Sequence, residues 1–385
     1  MTQSPTTEAT EATEFAFSDD LVELRQMVRE FCAEVVPEEV VRAAMESDLG
    51  HDPALWRRLG SELGVLGLAV PEELGGDGIG LVAQAVVLEE MGAALVPGPV
   101  VGTLALAVPA LSVLPHSALA AELLGSALTG TTVLALAAPL GSGTFESDAL
   151  GASTTRDGEA WTVHGVVDHV PDGAAADVLL VAARTADGAV LLAVDGDAPG
   201  LSRTAHSTMD LTRRQARLDL VDVPARLVAD VDAAAGACEQ AARVGAVLLA
   251  AEQVGGAQRM LDRTVEHAST RLQFGQAIGA FQAVKHKCAD MFMAVEQARS
   301  AAYHGAWALQ DGTDDPRLAA SLARAVASET YFRVAATAIQ LHGGLGFTWE
   351  YPAHLYLKRA VSDAAVLGAA DDHVEQVARQ VIDGA

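Results

Sequence analysis

The stretch Arg271-Leu272-Gln273-Phe274-Gly275-Gln276 follows a long apolar segment and combines a cation, an aromatic ring and a glycine. A second glycine, Gly279, and then Gln282 precede the next apolar segment. An arginine guanidinium is permanently charged and pairs with phosphate through two parallel hydrogen bonds, while glycine permits a tight turn. The stretch therefore predicts a turn between two helices that binds an anionic ligand, and a dinucleotide pyrophosphate is the best candidate.

A second stretch with similar features, Gln340-Leu341-His342-Gly343-Gly344, comes about sixty residues later. Its glutamine and paired glycines would let a ligand approach the backbone closely from the opposite side. Each stretch alone also suits an ordinary helix end, because glycine is a common helix cap. Together they favour a shared ligand site.

Hydrophobic periodicity divides the chain into four parts. Residues 1–16 carry no apolar period and are predicted to be a disordered lead. Helical spacing over 17–130 predicts an N-terminal helical domain, in which Ser18 or Asp19 caps the first helix. Short alternating runs over 131–231 predict a middle β-domain. Long amphipathic runs over 232–385 predict an antiparallel helical bundle, with helices near 233–270, 282–311 and 317–342.

Composition narrows the possible functions. The chain has 385 residues and a net charge of -26, which argues against binding to nucleic acid or to anionic membranes. Its apolar runs are too short to span a bilayer, so a soluble, cytoplasmic protein is expected. The three cysteines are far apart, are predicted to be buried, and indicate no metal site. Local basic residues would have to offset the acidic charge for a CoA ester: Arg271, Lys285, His286, Lys287, Lys358 and Arg359.

The two glycine-containing stretches resemble the C-terminal domain of the acyl-CoA dehydrogenase family. Residues 55–60 and 67–78, with Glu89-Glu90-Met91-Gly92 after them, are similar to the N-terminal signature of that family. The resemblance extends from about residue 16 to the end of the chain. Three separated signatures therefore agree on one family.

This resemblance implies a fold, a cofactor and a reaction. The fold would be α+β and mainly α, with an N-terminal helical domain, a β-barrel-like middle domain and a C-terminal antiparallel helical bundle. Members bind FAD, oxidise an acyl-CoA thioester to the 2-enoyl-CoA, pass electrons to electron-transfer flavoprotein, and form dimers or tetramers. The residues that match the family's FAD-binding positions are Arg271, Phe274, Gln282, Gln340, Gly343 and Gly344.

The sequence departs from the family at the catalytic base. Leu367 stands at the usual glutamate position near the C terminus, and Gly245 stands at the alternative position on the preceding long helix. Glu252 lies seven residues after Gly245, on nearly the same helix face, and is the candidate replacement base. A salt bridge between helices would also explain Glu252. Asp371 and Asp372 are weaker candidates, which a solvated helix start would explain.

The middle domain also departs from the sequence pattern of the family. Ala137-Ala138-Pro139 replaces a Thr-Glu-Pro run, and His169 replaces the tryptophan that lies beside the flavin ring in the family. His169 would either stack on a flavin or remain an exposed loop histidine.

Two hypotheses follow. The chain is either a working FAD-dependent acyl-CoA dehydrogenase with Glu252 or a partner's residue as the base, or a non-catalytic subunit that supplies flavin-binding surface to an active, related partner chain. Members that act on bulky steroid side-chain esters resemble the second arrangement. A flavin monooxygenase or nitroalkane oxidase on the same fold is a third possibility.

Overall fold

Two helical regions flank a strand-rich middle region in the computed structural model, which describes residues 17–312 and 314–383. The predicted disordered lead, 1–16, lies outside the described residues. The helices of the first region are α1 (Asp19–Val35), α2 (Glu38–Glu46), α3 (Pro53–Arg57), α4 (Leu81–Ala94), α5 (Val108–Ser112) and α6 (Ala118–Leu128). The Ser18 side chain accepts a hydrogen bond from the Leu21 amide, which confirms Ser18 as the cap of α1.

The middle region is a seven-stranded sheet. Its strands are β1 (Leu134–Ala137), β2 (Ala152–Asp157), β3 (Ala160–Pro171), β4 (Val178–Arg184), β5 (Ala189–Asp195), β6 (Leu201–Ala205) and β7 (Gln215–Ala229). They pair in the order β1-β4-β2-β3-β7-β5, β6 adds to β7, and β4 also pairs with β5. This last pairing closes five of the strands into a ring, as a barrel requires.

The C-terminal region consists of long, packed helices. They are α7 (Val231–Thr270), α8 (Gln282–Asp311), α9 (Pro316–His342), α10 (Ala353–Ala365) and α11 (Ala370–Ala378), and a small hairpin of β8 (Leu272–Gln273) and β9 (Gln276–Ala277) separates α7 from α8. The three long helices begin and end within two residues of the predicted runs. The predicted fold class, mainly helical with a barrel-like middle region, is therefore confirmed.

Helix α7 continues through Gly255-Gly256, where its apolar stripe is interrupted. A Cβ atom at Gly255 would collide with the backbone of α4, and one at Gly256 would collide with the ring of Tyr331 on α9. The two glycines thus allow α7 to pack closely against α4 and α9. None of the described helices is both long and apolar enough to cross a membrane.

The cysteine prediction holds for two of the three residues. Cys32 and Cys238 are buried, whereas Cys288 is half-buried. Burial raises the pKa of the Cys32 and Cys238 thiols to about 12, so both are protonated near neutral pH.

Candidate functional site

Arg271 and Phe274 lie on the hairpin that follows α7. Arg271 is the residue that ends the helix, and its amide bonds to the His267 carbonyl at 2.8 Å. Phe274 and Gly275 both have positive φ, 53° and 81°, which is the backbone conformation of a tight type I′ hairpin turn. The Phe274 ring at the tip is 90% exposed. The hairpin therefore presents a cation and an aromatic ring to the outside of the chain.

The ends of α7 and α9 are held together by stacked histidines. The rings of His267 and His342 lie 4.4 Å apart, and the Tyr351 hydroxyl is 2.7 Å from Nε2 of His342. These contacts place the helix end that carries Arg271 beside the helix end that carries Gln340 and the Gly343-Gly344 pair. The two stretches that the sequence analysis linked are thus neighbours in space.

The surface formed by these ends is open and carries the exposed guanidinium of Arg271. Among the described residues, no carboxylate lies within ion-pair distance of Arg271. A Cβ atom added at Gly343 or Gly344 would meet no atom within 4 Å, and Gln340 is exposed. Gln282, the first residue of α8, is also exposed. An unpaired guanidinium beside open backbone fits the pyrophosphate and adenosine half of FAD.

His169 belongs to a different part of the molecule. It lies on β3, where its Nδ1 is 3.3 Å from Oε1 of Gln215 and its ring stacks on His206 at 4.8 Å. Both of these contacts are with residues of the middle region, so His169 lies apart from Arg271 and Gln340. The sequence analysis did not identify His206, because a separation of 38 residues from Asp168 gives no local pattern.

Gly245 and Leu367, which the sequence resemblance matched to the base positions of the family, are adjacent in the structure. A Cβ atom at Gly245 would lie 2.9 Å from Cδ1 of Leu367, 2.8 Å from Cδ2 of Leu106 and 3.0 Å from the Ala105 carbonyl oxygen. Leu367 is only 4% exposed, and its backbone is left-handed with φ of 58°. Apolar side chains therefore fill the space between α7 and the segment after α10, and neither position contributes a carboxylate.

Glu252 belongs to a buried network of ion pairs. It is 3% exposed, and its carboxylate pairs with the guanidinium groups of Arg213 and Arg359, the latter at 2.6 Å. Burial acts to raise the pKa of Glu252, but the charges of Arg213 and Arg359 outweigh burial and hold that pKa below its ordinary value. A carboxylate stabilised in its charged form by two arginines is a weak proton acceptor.

The network extends into the middle region and α10. Arg359 also pairs with Asp210 at 3.1 Å, and Arg213 approaches Asp363 at 3.4 Å. Burial raises the pKa of Asp363 to about 7, despite the opposing effect of Arg213. Because Arg359 is 1% exposed at its side chain, its inclusion in a basic surface cluster for CoA was wrong. The charge of Arg359 is compensated by Asp210 and Glu252 in the interior of the protein.

Asp371 and Asp372 lie in the first turn of α11 and are exposed. The Asp372 carboxylate accepts a hydrogen bond from the Ala369 amide at 2.9 Å, as an acidic residue at a helix start commonly does. This contact accounts for Asp372 without a catalytic role.

A cleft of about 670 Å³ opens between α1, α4 and the C-terminal helices. Arg25 and Arg299, which line it, bind Glu89 at 3.0 and 3.1 Å, so much of its charge is paired internally. Neither Gly245 nor Leu367 lines this cleft. It is therefore separate from the positions of the family's base.

Comparison with known proteins agrees with this geometry. The N-terminal domain model of acyl-CoA dehydrogenases matches residues 18–138, and the C-terminal domain model matches 235–382. Acyl-CoA dehydrogenase IpdE2 of Mycolicibacterium smegmatis is 36% identical over 363 residues, which cover 93% of this chain and 99% of that protein.

Two solved structures are similar over nearly their whole length. A variant of the steroid ACAD Tcur3481-Tcur3483 is 33% identical with a TM-score of 0.83, covering 95% of this chain and 98% of that one. The ChsE4-ChsE5 complex from Mycobacterium tuberculosis is 29% identical with a TM-score of 0.84, covering 96% and 99%. The sequence match over almost the full chain, together with the shared fold, shows that this chain belongs to the acyl-CoA dehydrogenase family.

Proposed function

We propose that this chain is the subunit without a catalytic base in a FAD-dependent acyl-CoA dehydrogenase complex. The complex would convert an acyl-CoA thioester to the 2-enoyl-CoA, and a related partner chain would supply the carboxylate. The observation that carries the proposal is the apolar contact of Gly245 with Leu367 and Leu106, at the two positions where the family places its base.

The reaction needs a carboxylate that removes the acidic α-proton of the thioester. Bound FAD supplies the acceptor for the hydride that leaves the β-carbon. Leu367 and Gly245 cannot take up a proton, and the methyl groups around them leave no room for an added side chain at 245. The proton must therefore go to a carboxylate that this chain does not hold at either position.

We assign Glu252 a structural role. Its carboxylate joins Arg213 in the loop before β7 to Arg359 on α10, so it connects the middle region to the bundle through α7. Proton uptake by Glu252 would leave two buried guanidinium groups with less compensating charge, which is costly in a low-dielectric interior. Substrate would also have to reach a side chain that is 3% exposed.

The chain would contribute the binding surface for the pyrophosphate and adenosine half of a partner's FAD. Arg271 would pair with the pyrophosphate, and the open backbone at Gly343-Gly344 with Gln340 would accommodate the adenosine half. Phe274 and Gln282 border the same surface from the hairpin and the start of α8. Because this surface faces outward, it suits a ligand that is shared between two chains.

Exposed apolar side chains near this surface support an oligomer. Phe292 and Met293 on α8 are 55% and 60% exposed, Phe332 on α9 is 49% exposed, and Phe347 is 83% exposed. Large exposed apolar groups on the C-terminal helices and the segment after α9 favour burial against another protein. We propose a second acyl-CoA dehydrogenase-like chain as the occupant, in a dimer or tetramer.

The names of the similar structures support a proposal for the substrate class. One similar structure is named a steroid ACAD, and another is a complex of two differently named chains. We therefore propose a bulky acyl-CoA ester, such as a steroid side-chain ester, with electron-transfer flavoprotein as acceptor and the cytoplasm as location.

The test is a visible absorption spectrum, recorded anaerobically while a panel of acyl-CoA esters is added. The chain purified alone should be colourless, or its flavin band should not bleach with any ester. Co-expression with a homologue that carries a glutamate at a base position should give a yellow complex that bleaches with a bulky ester. A complex whose partner glutamate is replaced by glutamine serves as the control and should stay yellow.

A chain that is yellow alone and bleaches with an ester would overturn this assignment. It would show a self-sufficient dehydrogenase whose base is Glu252 or another carboxylate of this chain.

A further inference from the structure

A bulge in β3 sets two consecutive side chains beside the same neighbour. The pairing of β3 with β7 shifts between Val167 and Val170, so Asp168 and His169 occupy an irregular segment. His169 has a φ of 55°, a left-handed backbone that residues other than glycine seldom adopt. Such strain is commonly retained where it positions a functional side chain.

Consecutive residues of a regular strand point to opposite faces of the sheet. Here both side chains meet His206, the residue directly after β6. Oδ1 of Asp168 lies 2.6 Å from Nε2 of His206, and the His169 ring stacks on the His206 ring with planes 20° apart. The bulge thus gathers a carboxylate and two imidazoles from different strands.

Local hydrogen bonds hold the three groups in place. The His206 amide bonds to the Gln215 carbonyl at 2.9 Å, and the Gln215 side chain lies 3.3 Å from Nδ1 of His169. Arg217 on β7, whose charge would oppose a cation, is engaged by Asp219 at 2.9 Å. The nearby positive charge is therefore compensated.

We propose that Asp168, His169 and His206 bind one divalent first-row transition-metal ion of the zinc type. Each residue can offer one ligand atom, and these atoms all lie within 4.8 Å of one another. Zinc ligands lie about 2.0–2.2 Å from the ion, so side-chain movements on the order of 1 Å would complete the site. Asp168 and His169 are exposed, which leaves them free to make such movements.

The ligand set determines the class of ion. Two imidazoles with one carboxylate suit zinc, cobalt or nickel, whereas calcium and magnesium prefer oxygen ligands alone. Three protein ligands on an exposed surface leave at least one position for water or for a side chain of another protein. This site goes beyond the proposed function and does not depend on it.

The chain offers a matched control on the same strand. His164 pairs with Asp222, Nε2 to Oδ1 at 3.0 Å; His164 is half-buried and Asp222 is exposed. Among the described residues, no third potential metal ligand joins this pair in a cluster. If one histidine beside one aspartate were enough to bind the ion, both places would bind it equally.

The experiment is a titration of the full-length, tag-free chain with Zn²⁺ by calorimetry, repeated with Co²⁺ as a spectroscopic probe. We expect one ion per chain, and a loss of affinity of at least about tenfold in His169→Ala, His206→Ala and Asp168→Asn. His164→Ala should bind as the wild type does. Because all these positions are on the surface, circular dichroism should show that every variant is folded.

No saturable binding by the wild type would overturn the proposal. Equal binding by the wild type and by His206→Ala and His169→Ala would also overturn it, because the ion would then lie elsewhere. A Co²⁺ spectrum without bands from imidazole ligation would lead to the same conclusion.

Discussion

Glu252 was the candidate base in the sequence and is an ion-paired residue in the structure. Of its two partners, Arg213 comes 39 residues before Glu252 in the sequence and Arg359 comes 107 residues after it. No local sequence pattern could therefore reveal them. The competing interpretation, a salt bridge between helices, agrees with these contacts. The catalytic role itself stays a prediction that kinetics must decide.

Glu252→Gln should lower the free energy of unfolding and leave the turnover of the complex unchanged. Breaking a buried ion pair by neutralising one partner costs about 3–5 kcal/mol, so the melting temperature should fall clearly. Turnover per bound FAD in the complex should stay close to that of the wild type. The control is Glu266→Gln, an exposed position on the same helix.

Abolished turnover with unchanged melting temperature would restore Glu252 as the base. The measurement pairs thermal unfolding with steady-state kinetics normalised to flavin content.

Arg271→Ala should reduce the FAD content of the complex several-fold. A hydrogen bond to a charged group contributes about 1.5–3 kcal/mol, and the structure shows no carboxylate paired with this guanidinium among the described residues. Arg317→Ala is the matched control, since Arg317 is exposed at the opposite end of α9. Flavin absorbance per protein measures the effect, and unchanged occupancy would remove Arg271 from the site.

Asp363→Asn should change how stability depends on pH. The carboxyl pKa rises from an ordinary value of 3.8 to about 7 in the folded chain, chiefly because of burial. Between these values the folded chain keeps a proton that the unfolded chain loses, so the contribution of Asp363 to the free energy of unfolding falls as pH rises and levels off above about pH 7.

Asparagine cannot ionise, so this loss should be absent in the variant. The melting temperature of Asp363→Asn relative to the wild type should increase from pH 5 to pH 8. A constant difference across that range would contradict the raised pKa.

At the scale of elements, α7 combines structural and functional features. It packs against α4 and α9, carries Gly245 and Glu252, and is followed directly by Arg271. The sequence predicted its length well because 3.6-residue spacing is strong over a long helix. It could not predict that Gly245 would face Leu106 and Leu367, which come from other segments.

Gly245→Ala tests whether that contact is tight. The added methyl group would press on Leu106, Leu367 and the Ala105 carbonyl, and overpacking of this kind costs about 1–3 kcal/mol. Gly236→Ala on the same helix meets no atom within 4 Å and should be neutral or stabilising. Adding Leu367→Ala to Gly245→Ala should recover part of the lost melting temperature.

If Gly245→Ala were as stable as Gly236→Ala, the space between α7 and Leu367 would be open. An acyl chain could then be accommodated there, and the proposal of a subunit without a base would lose its main support.

The middle region illustrates what strand patterns can and cannot predict. Short alternating runs predicted strands between residues 131 and 231, because β-branched residues bounded by glycine and aspartate give a clear signal. The bulge at Asp168 and His169 and its meeting with His206 depend on the register between β3, β6 and β7. Register is set by tertiary pairing and leaves little trace in a single strand.

At the scale of the whole molecule, the proposed function divides a flavin site between two chains. The surface around Arg271 and Gly343-Gly344 is open and suits the adenosine half of FAD, whereas the base positions are filled by apolar groups. The order of the motifs along the sequence predicted the first half, because helix ends linked by short turns lie close together. For the second half, the sequence showed the missing glutamates at 245 and 367 and the departures at Ala137-Ala138-Pro139 and His169.

The division of the proposed flavin site between two chains determines how many FAD molecules the complex binds. In a pair of chains of this family, each FAD would use the flavin pocket of one chain and the adenosine surface of the other. A chain that offers only the adenosine surface therefore completes its partner's site and adds none of its own. The complex should contain one FAD for every two chains.

Native mass spectrometry of the co-expressed complex tests this claim most directly. The account predicts equal numbers of the two chains and one FAD per pair, with no FAD retained by this chain when it is purified alone. One FAD for every chain, or a stable assembly of this chain alone that is fully loaded with FAD, would contradict it.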